Sequence, residues 1–508
     1  MGSRSPFPKI CIALGFTTVD ALIEQARHEV ESGETFLEFR LDYLENPQAG
    51  AEAIANFVRS YPECMVLATC RRHANHGKFE GSVEREIAVL ESAIRSGASA
   101  VDVEIETAEV AGAALSRLRE HARLIVSYHS FENTPPLDPI IKRLTRYPAD
   151  AHKVATTARK PTDVERVLDA GRHSRAPIVT LAMGERGFPT RVLSPAYNSA
   201  FTYAAPSCAE GTAPGQVGAR LLRKLYHADR LTRTVKIYCV IADPVKHSLS
   251  PAVHNRAFQV RHLDAVYVPL VVSAGQLRDF FKMAEKLPLT GFSVTIPHKQ
   301  KIIRYLDIVD PLARRIGAVN TVWRKAGRWR GANTDAEAVV KPLSKYLRLQ
   351  KSLVLIAGTG GAARSAACAL ADAGAQVSIT GRNADRVRAL ARFASGKPLS
   401  REQAESARFD AVVHATPLGM FPNVDACFFR DRIPGDVVFD MVYNPAQTLL
   451  LKRAREQGKE VIPGMKMFIE QAVAQFELWT GDAAPRGAME MAAMDALEHQ
   501  NAVVARSI

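Results

Sequence analysis

The stretch Asp150-Ala-His-Lys-Val-Ala-Thr156 decides how the first half of the chain folds. It is a short apolar run that predicts a buried strand, and it follows the similar run Leu124-Ile-Val-Ser-Tyr-His129. Short apolar runs and amphipathic segments alternate through the first 228 residues, with runs at 10–14, 36–41, 65–69, 100–105, 124–128, 151–155, 177–182 and about 199–205. Eight strands separated by helices predict a (β/α)8 or TIM barrel over residues 1–228.

The second half has a different pattern. A polar, Arg-rich stretch at 229–234 indicates a boundary, and residues 235–337 predict a small α/β domain. Residues 338–464 predict a Rossmann domain, in which a strand over 352–357 leads into a Gly-rich turn and a helix. A C-terminal helix over about 465–500 is expected to return to the 235–337 domain. The predicted fold class is therefore α/β, a TIM barrel followed by a two-lobed unit.

Composition and charge narrow the class of protein. Hydrophobic residues make up 47% of the 508 residues, which is typical of a globular protein. The longest apolar runs have strand length, so we expect no membrane-spanning helix, and we expect no signal or transit peptide ahead of Ile10. The net charge of +13 is spread through both halves, which favours anionic small molecules over nucleic acid as partners.

The cysteines indicate the compartment. There are seven, scattered along the chain and without a CxxC pair, at positions 11, 64, 70, 208, 239, 368 and 427. This pattern is typical of reduced thiols in a cytosol and argues against a metal site. We therefore expect a cytoplasmic monomer or homodimer that binds small molecules, with no metal and no nucleic-acid or membrane partner.

Lys153 is the first candidate for chemistry. Burial disfavours its ammonium form, so its amine is a candidate nucleophile toward a carbonyl group. His129 ends the preceding strand, and adjacent barrel strands would place its imidazole beside the amine, where it could move a proton. Glu80 could orient the histidine. The alternative for Lys153 is a structural ion pair with an acid.

Further polar residues end the predicted strands at the same mouth of the barrel, where barrel active sites lie. They are Glu38, Arg40, Arg71, Glu104 and Arg191. The arginines could bind a carboxylate and hydroxyls, because guanidinium groups pair bidentately with carboxylates. The alternative is that each arginine is a surface residue.

These motifs closely resemble those of type I 3-dehydroquinate dehydratase. In chain order they are Glu38-Phe-Arg-Leu-Asp42, Thr69-Cys-Arg71, Glu80-Gly81, Val101-Asp-Val-Glu104, Ser127-Tyr-His-Ser-Phe131, Lys153-Val-Ala155, Met183-Gly-Glu-Arg-Gly187 and Ala213-Pro-Gly-Gln216. The resemblance implies that Lys153 forms a Schiff base and that His129 is the general acid and base. It also implies substrate contacts from Glu38, Arg40, Arg71, Arg191, Tyr203, Thr212 and Gln216. Thr190, Tyr203 and Thr212 stand where the family has Ser, Phe and Ser, and they keep the hydroxyl or the ring.

The second half carries a dinucleotide turn. Gly358-Thr-Gly-Gly-Ala-Ala363 fits G-x-G-x-x-G/A between a strand and a helix, where glycines allow close approach and the helix N-terminus binds a pyrophosphate. The next strand ends in Thr380-Gly-Arg382, without an acidic residue for a ribose hydroxyl. Arg382 and Arg386 suit a 2′-phosphate, so NADP is favoured over NAD. Asp385 is a competing ribose contact.

Lys299 and Asp335 are the candidate acid–base pair of this half. A lysine beside an aspartate can relay a hydroxyl proton while a hydride leaves carbon. Ser248 and Ser250 are short donors suited to a carboxylate, with capping of the helix at Pro251 as the alternative.

Residues 235–480 resemble shikimate dehydrogenase. The matching runs are His247-Ser-Leu-Ser-Pro251, His254-Asn255, Val294-Thr-Ile-Pro-His-Lys299, Gly317-Ala-Val-Asn-Thr321, Asn333-Thr-Asp335, Gly358 to Ala363, Ala415-Thr-Pro-Leu-Gly-Met420, Asp440-Met-Val-Tyr-Asn-Pro445 and Gln471-Ala472. The resemblance implies a catalytic Lys299 and shikimate contacts from Ser248, Ser250, Thr295, Asn320, Asp335, Tyr443 and Gln471. It implies cofactor contacts from Gly358, Gly360, Gly361, Ala362, Arg382, Arg386, Thr416, Met441 and Gly464.

Four residues depart from the shikimate dehydrogenase pattern: Ala242 for Gly, Ser293 for Asn, Ala338 for Gly and His414 for Asn. Ser293 also occurs in plant-type fused enzymes, which the whole chain resembles in domain order. His414 and Ala338 bear on the geometry of the cofactor loop rather than on the reaction.

The two halves together predict a bifunctional enzyme. The barrel would dehydrate 3-dehydroquinate to 3-dehydroshikimate, and the second half would reduce that product to shikimate with NADPH. Three alternatives stay open: quinate oxidation by the second half, a catalytically inactive regulator of a quinate pathway, and a class I aldolase joined to an unrelated reductase. The Ser248 and Ser250 pair favours shikimate, and retention of Lys153, His129, Lys299 and Asp335 argues against the regulator.

Overall fold

The structure is a computed structural model that describes residues 6–207, 211–246 and 248–505. Cys208 and His247, which the sequence singled out as a cysteine and a motif residue, lie outside the described residues. The chain divides into two compact units, one formed by Met1–Val235 with Val268–Pro288 and the other by Lys236–Tyr267 with Leu289–Ile508.

The first unit contains an eight-stranded parallel sheet. Its strands are β1 (Ile10–Leu14), β2 (Phe36–Arg40), β3 (Met65–Thr69), β4 (Ala100–Glu104), β5 (Arg123–His129), β6 (Ala151–Thr157), β7 (Ile178–Met183) and β8 (Thr202–Ala204). The order is β7-β6-β5-β4-β3-β2-β1-β8, and a bridge between Ile178 and Ser199 nearly closes it. The predicted TIM barrel is confirmed.

Helices separate the strands. They are α1 (Val19–Glu31), α2 (Pro47–Ser60), α3 (Val83–Arg95), α4 (Ile105–Val110), α5 (Gly112–His121), α6 (Leu137–Leu144), α7 (Pro161–His173), α8 (Phe188–Leu193) and α9 (Ala219–Lys224). Local sequence sets where several begin. Asn46 accepts the amide of Ala49 ahead of α2, and Ser82 accepts the amide of Arg85 ahead of α3, as N-cap residues do.

Alternate residues of the barrel strands face its interior, and polarity changes along them. Phe36, Ala100, Ile125 and Ala151 belong to an apolar cluster inside the barrel. Two residues further along, the same faces carry Glu38, Asp102, Ser127 and Lys153, because side chains repeat every second residue in a strand. The polar layer therefore lies toward the carboxyl ends of the strands.

Two further sheets follow β8 in the chain, and their strands belong to the second unit except for residues 268–271 of β10. The first sheet is mixed and consists of β9 (Lys236–Ala242), β10 (Ala265–Val271), β11 (Leu289–Val294), β12 (Ile308–Val309), β13 (Thr321–Lys325) and β14 (Arg328–Ala332), in the order β10-β9-β11-β13-β14-β12. The helices of this stretch are α10 (Ser250–Val260), α11 (Leu277–Lys286), α12 (Pro311–Ile316) and α13 (Asp335–Leu343).

The stretch Val268–Pro288 departs from the predicted continuous domain over 235–337, because its contacts group it with the barrel. Helix α11 packs on α7, where the Asp279 carboxylate accepts the Thr162 amide at 2.9 Å and the Thr162 hydroxyl at 3.0 Å. Lys286 and Glu165 form an ion pair at 3.2 Å between the same helices.

The second sheet of this unit is fully parallel and has the Rossmann arrangement. It consists of β15 (Leu353–Ala357), β16 (Gln376–Thr380), β17 (Lys397–Pro398), β18 (Phe409–His414), β19 (Gly435–Asp440) and β20 (Glu460–Ile462). The order is β17-β16-β15-β18-β19-β20. Strands β16 and β17 are added on one side of β15, and the chain then crosses to place β18 to β20 on its other side. Its helices are α14 (Gly361–Asp372), α15 (Ala384–Phe393), α16 (Arg401–Ser406) and α17 (Leu449–Glu456).

Two helices follow where the sequence predicted one. They are α18 (Gly464–Thr480) and α19 (Arg486–Ala505), separated at Gly481, whose φ of +78° is a left-handed conformation that glycine adopts readily. Helix α18 packs on the mixed sheet, where the Trp479 indole donates to the Val322 carbonyl at 3.0 Å. Within the described ranges, no helix has the length and apolar character needed to cross a membrane.

Candidate active sites

A cavity opens at the mouth of the barrel, and most of the predicted residues of the first half line it. They are Glu38, Arg40, Arg71, His129, Lys153, Arg191, Tyr203, Thr212 and Gln216. Another cavity, lined in part by Lys9, Arg175 and Arg233, contains none of them. The cavity at the mouth of the barrel is therefore the candidate active site of the first half of the chain.

Lys153 lies deep in this cavity and is 4% exposed. Its Nζ donates to Asp102 Oδ2 at 2.9 Å and to the Tyr203 hydroxyl at 3.1 Å. Burial raises the pKa of Asp102, but the charges of Lys153 and Arg71 outweigh it and bring that pKa below its usual value. Burial raises the pKa of Tyr203 well above 10, so Tyr203 stays a neutral phenol. Lys153 thus has an acidic partner as well as the position of a nucleophile.

His129 lies one strand away from Lys153. Its Nδ1 is 3.1 Å from Glu104 Oε2, and its Nε2 is 2.9 Å from Arg71 Nη2. Because a guanidinium only donates, Nε2 must accept and the imidazole proton lies on Nδ1, donated to Glu104. Burial, together with the charges of Arg71 and Lys153, lowers the pKa of His129 well below 6.5. The imidazole is therefore neutral, with its basic nitrogen directed toward Arg71.

The carboxylate that holds His129 is Glu104, and the prediction that Glu80 orients it does not match this structure. Glu80 is exposed, in the loop that precedes α3. Glu104 ends β4 beside β5, where it pairs in register with Ser127, and Ser127 Oγ donates to it at 3.2 Å. Alternate side chains of a barrel strand point to the interior, and Glu104 shares that face of β4 with Asp102, whereas a loop position such as that of Glu80 sets no such direction.

Sequence reasoning missed Asp102, and it placed Glu104 at the mouth of the barrel without giving it a role. A signal for both was available, since they are acidic residues two positions apart in an otherwise apolar strand. That spacing places both carboxylates on one face of the strand, and burial of two carboxylates requires cationic or hydrogen-bonding partners.

The three arginines differ in their partners. Arg40 makes a bidentate pair with Asp42 at 2.9 and 2.8 Å. Arg71 Nε lies 2.5 Å from Glu104 Oε1. Arg191 is fully buried and donates to two backbone carbonyls, those of Tyr203 and Pro214, and burial lowers its pKa to about 10. A buried guanidinium that faces the cavity without a carboxylate is suited to an anionic ligand.

The remaining predicted contacts frame the cavity. Glu38 Oε1 accepts from Thr69 Oγ1 at 2.7 Å. Gln216 Oε1 accepts from Thr212 Oγ1 at 3.5 Å and from the Ala213 amide at 3.3 Å. The Glu38 contact joins β2 to β3, and the Gln216 contacts are internal to the segment after β8 that supplies Thr212 and Gln216 to the cavity.

The second site is built around Lys299 and Asp335. Lys299 Nζ donates to Asp335 Oδ2 at 2.6 Å, and Asn320 Nδ2 donates to Asp335 Oδ1 at 2.8 Å. Lys299 follows β11, Asn320 immediately precedes β13 and Asp335 begins α13. The Asp335 carboxylate is thus held on both oxygens, and the lysine is its partly exposed neighbour.

The other predicted shikimate contacts come from several elements: Ser248 and Thr295 lie next to α10 and β11, Tyr443 follows β19 and Gln471 lies on α18. Ser248 Oγ accepts the Ser250 amide at 3.3 Å just ahead of α10, whose N-cap residue is Leu249 and has no side-chain cap, so Ser248 supports the turn before the helix without being its N-cap. Thr295 is half-buried immediately after β11, and its amide donates to the Ile241 carbonyl, at the end of β9. Gln471 donates to the Phe468 carbonyl at 2.9 Å, and the Tyr443 ring packs against Phe468 with ring centres 4.9 Å apart and the planes tilted by 37°.

The Gly-rich turn fits a dinucleotide. Gly358 has a φ of +131°, and a Cβ there would lie 2.6 Å from the Ala415 carbonyl oxygen. A Cβ at Gly360 would meet only open space, and no side chain caps the N-terminus of α14. The free amides at that terminus can bind a pyrophosphate. A Cβ at Gly361 would lie 3.7 Å from Lys299 Cδ, so Lys299 is beside this turn.

Arginines lie where a 2′-phosphate is expected. Arg382 follows β16 and Arg386 lies in the first turn of α15, and both are exposed. Asp385, the competing ribose contact, is largely exposed and forms an ion pair with Arg388 along α15. Met441 and Thr416 follow β19 and β18, and Gly464 begins α18.

Comparisons with known proteins assign both halves. Residues 10–233 match the type I 3-dehydroquinase family, and residues 240–322 match the shikimate dehydrogenase substrate-binding domain. Residues 352–444 match the family described as NADP oxidoreductase, coenzyme F420-dependent, and residues 464–494 match the shikimate 5'-dehydrogenase C-terminal domain.

Curated relatives and one solved structure are also similar to most or part of this chain. The chloroplastic bifunctional 3-dehydroquinate dehydratase/shikimate dehydrogenase of Arabidopsis thaliana is 33% identical over 94% of this chain and 83% of its own length. The shikimate biosynthesis protein AroDE of Chlamydia pneumoniae is 32% identical over 75% of this chain and 78% of its own. A shikimate dehydrogenase (NADP(+)) of Bacillus cereus is 38% identical over 52% of this chain and 99% of its own.

A shikimate dehydrogenase solved in complex with NADP+ has a TM-score of 0.50 and 34% identity, covering 53% of this chain and 97% of that one. This structure and the Bacillus protein each cover about half of this chain. Both halves, in the predicted order, are thus matched by proteins that carry them together. The chain belongs to the family of bifunctional 3-dehydroquinate dehydratase/shikimate dehydrogenases.

Proposed function

We propose that Lys153 and His129 dehydrate 3-dehydroquinate in the barrel, and that Lys299 and Asp335 serve NADPH-dependent reduction of 3-dehydroshikimate to shikimate in the second unit. The observation that carries the first assignment is the buried Lys153 amine one strand from a neutral His129, in a cavity lined by Arg191, whose hydrogen bonds among the described residues go to backbone carbonyls and not to a carboxylate. For the second assignment it is the Lys299–Asp335 pair beside the Gly361 turn. The named relatives do not favour the quinate, regulatory or aldolase alternatives.

The dehydration follows from the positions of the two groups. Lys153, once its proton has moved away, attacks the ketone carbon, and loss of water gives an iminium that acidifies the neighbouring C–H. The Asp102 carboxylate, 2.9 Å from Nζ, stabilises the cationic iminium. His129 takes that proton at Nε2 and delivers it to the leaving hydroxyl, which departs as water. Hydrolysis of the imine then frees the product and the amine.

In this scheme Arg71 first holds His129 and then binds the substrate. In the structure its Nη2 occupies the lone pair of His129 Nε2. His129 can act as a base only when that guanidinium turns to another acceptor, and the hydroxyls or carboxylate of the substrate supply one. The substrate carboxylate also suits Arg191, whose pKa of about 10 reflects burial without an anion.

The reduction depends on a proton donor at the substrate oxygen. NADPH, when bound, supplies the hydride to the ketone carbon. Lys299 gives the proton to the oxygen that becomes the hydroxyl, and Asp335 holds the ammonium 2.6 Å away. Asn320 fixes the second oxygen of Asp335, so the carboxylate keeps its orientation as the proton moves.

The pH dependence of dehydration tests the state of His129. Its pKa is depressed, so the neutral base form persists as pH falls through 6.5 and is lost only well below that value. The acid limb of kcat/KM, which reports groups of the free enzyme, should therefore lie well below pH 6.5. Arg71→Gln removes one of the positive charges that depress the pKa, so the limb should move to higher pH. The assignment would be contradicted if kcat/KM of the unaltered enzyme fell with a midpoint at or above pH 6.5 and Arg71→Gln shifted that same limb.

Cofactor preference tests the role of Arg382. NADP should be preferred over NAD by at least about tenfold in kcat/KM, because one charge-assisted hydrogen bond contributes about 1.5–3 kcal/mol. Arg382→Ala should reduce the preference mainly through KM for NADP. Arg392→Ala is the matched control, since Arg392 is exposed in the last turn of α15, the helix that follows Arg382. Equal use of both cofactors by the unaltered protein would refute the assignment.

Location and assembly are finer proposals. A cytoplasmic location is supported by six described cysteines that are all free thiols, five of them buried. The proposed partners are the three small-molecule substrates and products, with a monomer or homodimer as the assembly and no nucleic acid.

A further inference from the structure

His414 is one of the four residues that depart from the shikimate dehydrogenase pattern, where it replaces Asn. Its two ring nitrogens both lie within hydrogen-bond distance of side chains. Its Nδ1 is 2.8 Å from Asp440 Oδ1, and its Nε2 is 2.5 Å from Thr416 Oγ1. His414 and Asp440 end the adjacent strands β18 and β19 in register, and both are buried. Thr416 is half-buried, two residues beyond His414.

The partners of Asp440 set the direction of these hydrogen bonds. Asp440 Oδ1 accepts the Val442 amide at 3.1 Å, and Oδ2 accepts the Thr448 hydroxyl at 2.5 Å. A carboxylate can only accept, so His414 Nδ1 donates to it. In a neutral imidazole Nε2 must then accept, and the Thr416 hydroxyl donates to it. The Leu418 amide donates to Thr416 Oγ1 at 3.2 Å, which leaves one acceptor position on that oxygen.

Thr416 lies at the ligand crevice of the Rossmann sheet. The strand order reverses between β15 and β18, and dinucleotides bind outside the carboxyl ends of strands at such a point. A Cβ at Gly358 would lie 3.4 Å from Thr416 Cγ2, so Thr416 is beside the first glycine of the phosphate turn. Arg382 follows β16, which lies on the other side of β15 from β18. A dinucleotide with its 2′-phosphate at Arg382 and its pyrophosphate at α14 therefore extends its nicotinamide half toward Thr416.

We propose that His414, held by Asp440, is a positioning residue that fixes Thr416 as a hydrogen-bond acceptor for the carboxamide N–H of the nicotinamide. The inference rests on the proposed use of NADP. Because His414 holds the hydroxyl proton of Thr416, the oxygen presents a lone pair to the crevice. The site then favours a cofactor with an amide N–H over one with a ketone at the same position.

Binding of two oxidised cofactors, measured by calorimetry without shikimate, tests the proposal. The probes are NADP+ and its 3-acetylpyridine analogue, in which a ketone replaces the carboxamide. The unaltered protein should bind NADP+ more tightly by roughly three- to tenfold, the factor that one hydrogen bond contributes. Thr416→Val should bring the ratio close to one, and Thr416→Ser, which keeps the hydroxyl, should preserve it.

His414→Asn separates positioning from direct contact. Asparagine can still donate to Asp440 but offers no acceptor at the position of Nε2, so the Thr416 hydroxyl becomes free to turn and donate to the ketone. The ratio should again fall to about one, with thermal unfolding and circular dichroism showing that each variant is folded. An unchanged ratio in folded His414→Asn or Thr416→Val, or a lost ratio in folded Thr416→Ser, would overturn the proposal.

The outcomes also separate this proposal from the proposed function. A protein that shows the expected ratios but does not oxidise shikimate would overturn the function and uphold the positioning of Thr416. If the protein oxidises shikimate with NADP+ but Thr416→Val and His414→Asn leave the binding ratio of NADP+ to its analogue unchanged, the proposed function is upheld and the positioning of Thr416 is overturned.

Discussion

Lys153→Ala should abolish dehydration of 3-dehydroquinate while the same protein continues to oxidise shikimate. The amine is the group that bonds to the ketone, and no other lysine lines the barrel cavity among the described residues. Shikimate oxidation should continue because Lys299 and Asp335 belong to the other compact unit. Lys160→Ala is the matched control, since Lys160 is exposed at the start of α7, beyond the same strand.

Borohydride reduction locates the covalent bond directly. Reduction in the presence of 3-dehydroquinate or its product should add mass to the peptide that contains Lys153, because an iminium forms only where an amine has bonded to the ketone. Label on another lysine, or a protein that stays unlabelled while it turns over, would contradict the Schiff-base assignment.

Lys299→Met should lower kcat for shikimate oxidation by about 10²- to 10⁴-fold, the range for a positioned acid–base group. Methionine keeps a long apolar stem beside Gly361, where the Lys299 stem lies, so NADP+ binding should change little. Asp335→Asn should lower kcat and raise KM together, because this carboxylate holds the lysine and is also proposed to contact a substrate hydroxyl.

Dehydratase activity is the internal control for both variants, since it resides in the barrel. A protein that binds shikimate tightly yet shows no NADP-dependent turnover, even unaltered, would favour the regulatory alternative. A Lys299→Met variant with near-normal kcat would remove the lysine from the proton relay.

Much of the barrel and its site could be predicted from the sequence, because strand-length apolar runs with polar ends place those ends at one mouth. His129, Lys153 and Arg191 meet there as predicted. The sequence could not choose between Glu80 and Glu104 as the partner of His129, because the choice depends on which side chain points inward. It also left the pairing of Lys153 open, and the structure supplies Asp102.

Other differences have equally local causes. The C-terminal helix is divided because Gly481 adopts a left-handed conformation, which a helical pattern in the surrounding residues does not reveal. Helix α11 groups with the barrel through Asp279 and Thr162, residues 117 positions apart, and no local pattern encodes such a contact. Ser248 turned out to support the turn before α10, so its proposed substrate contact would be additional to that task.

The most direct test of the two-activity assignment is to supply purified protein with 3-dehydroquinate and NADPH and to follow NADPH absorbance and products together. We expect shikimate to form, with one NADPH oxidised for each shikimate and 3-dehydroshikimate as the intermediate. Accumulation of 3-dehydroshikimate without NADPH oxidation would contradict the assignment of the second unit, and unchanged 3-dehydroquinate would contradict that of the barrel.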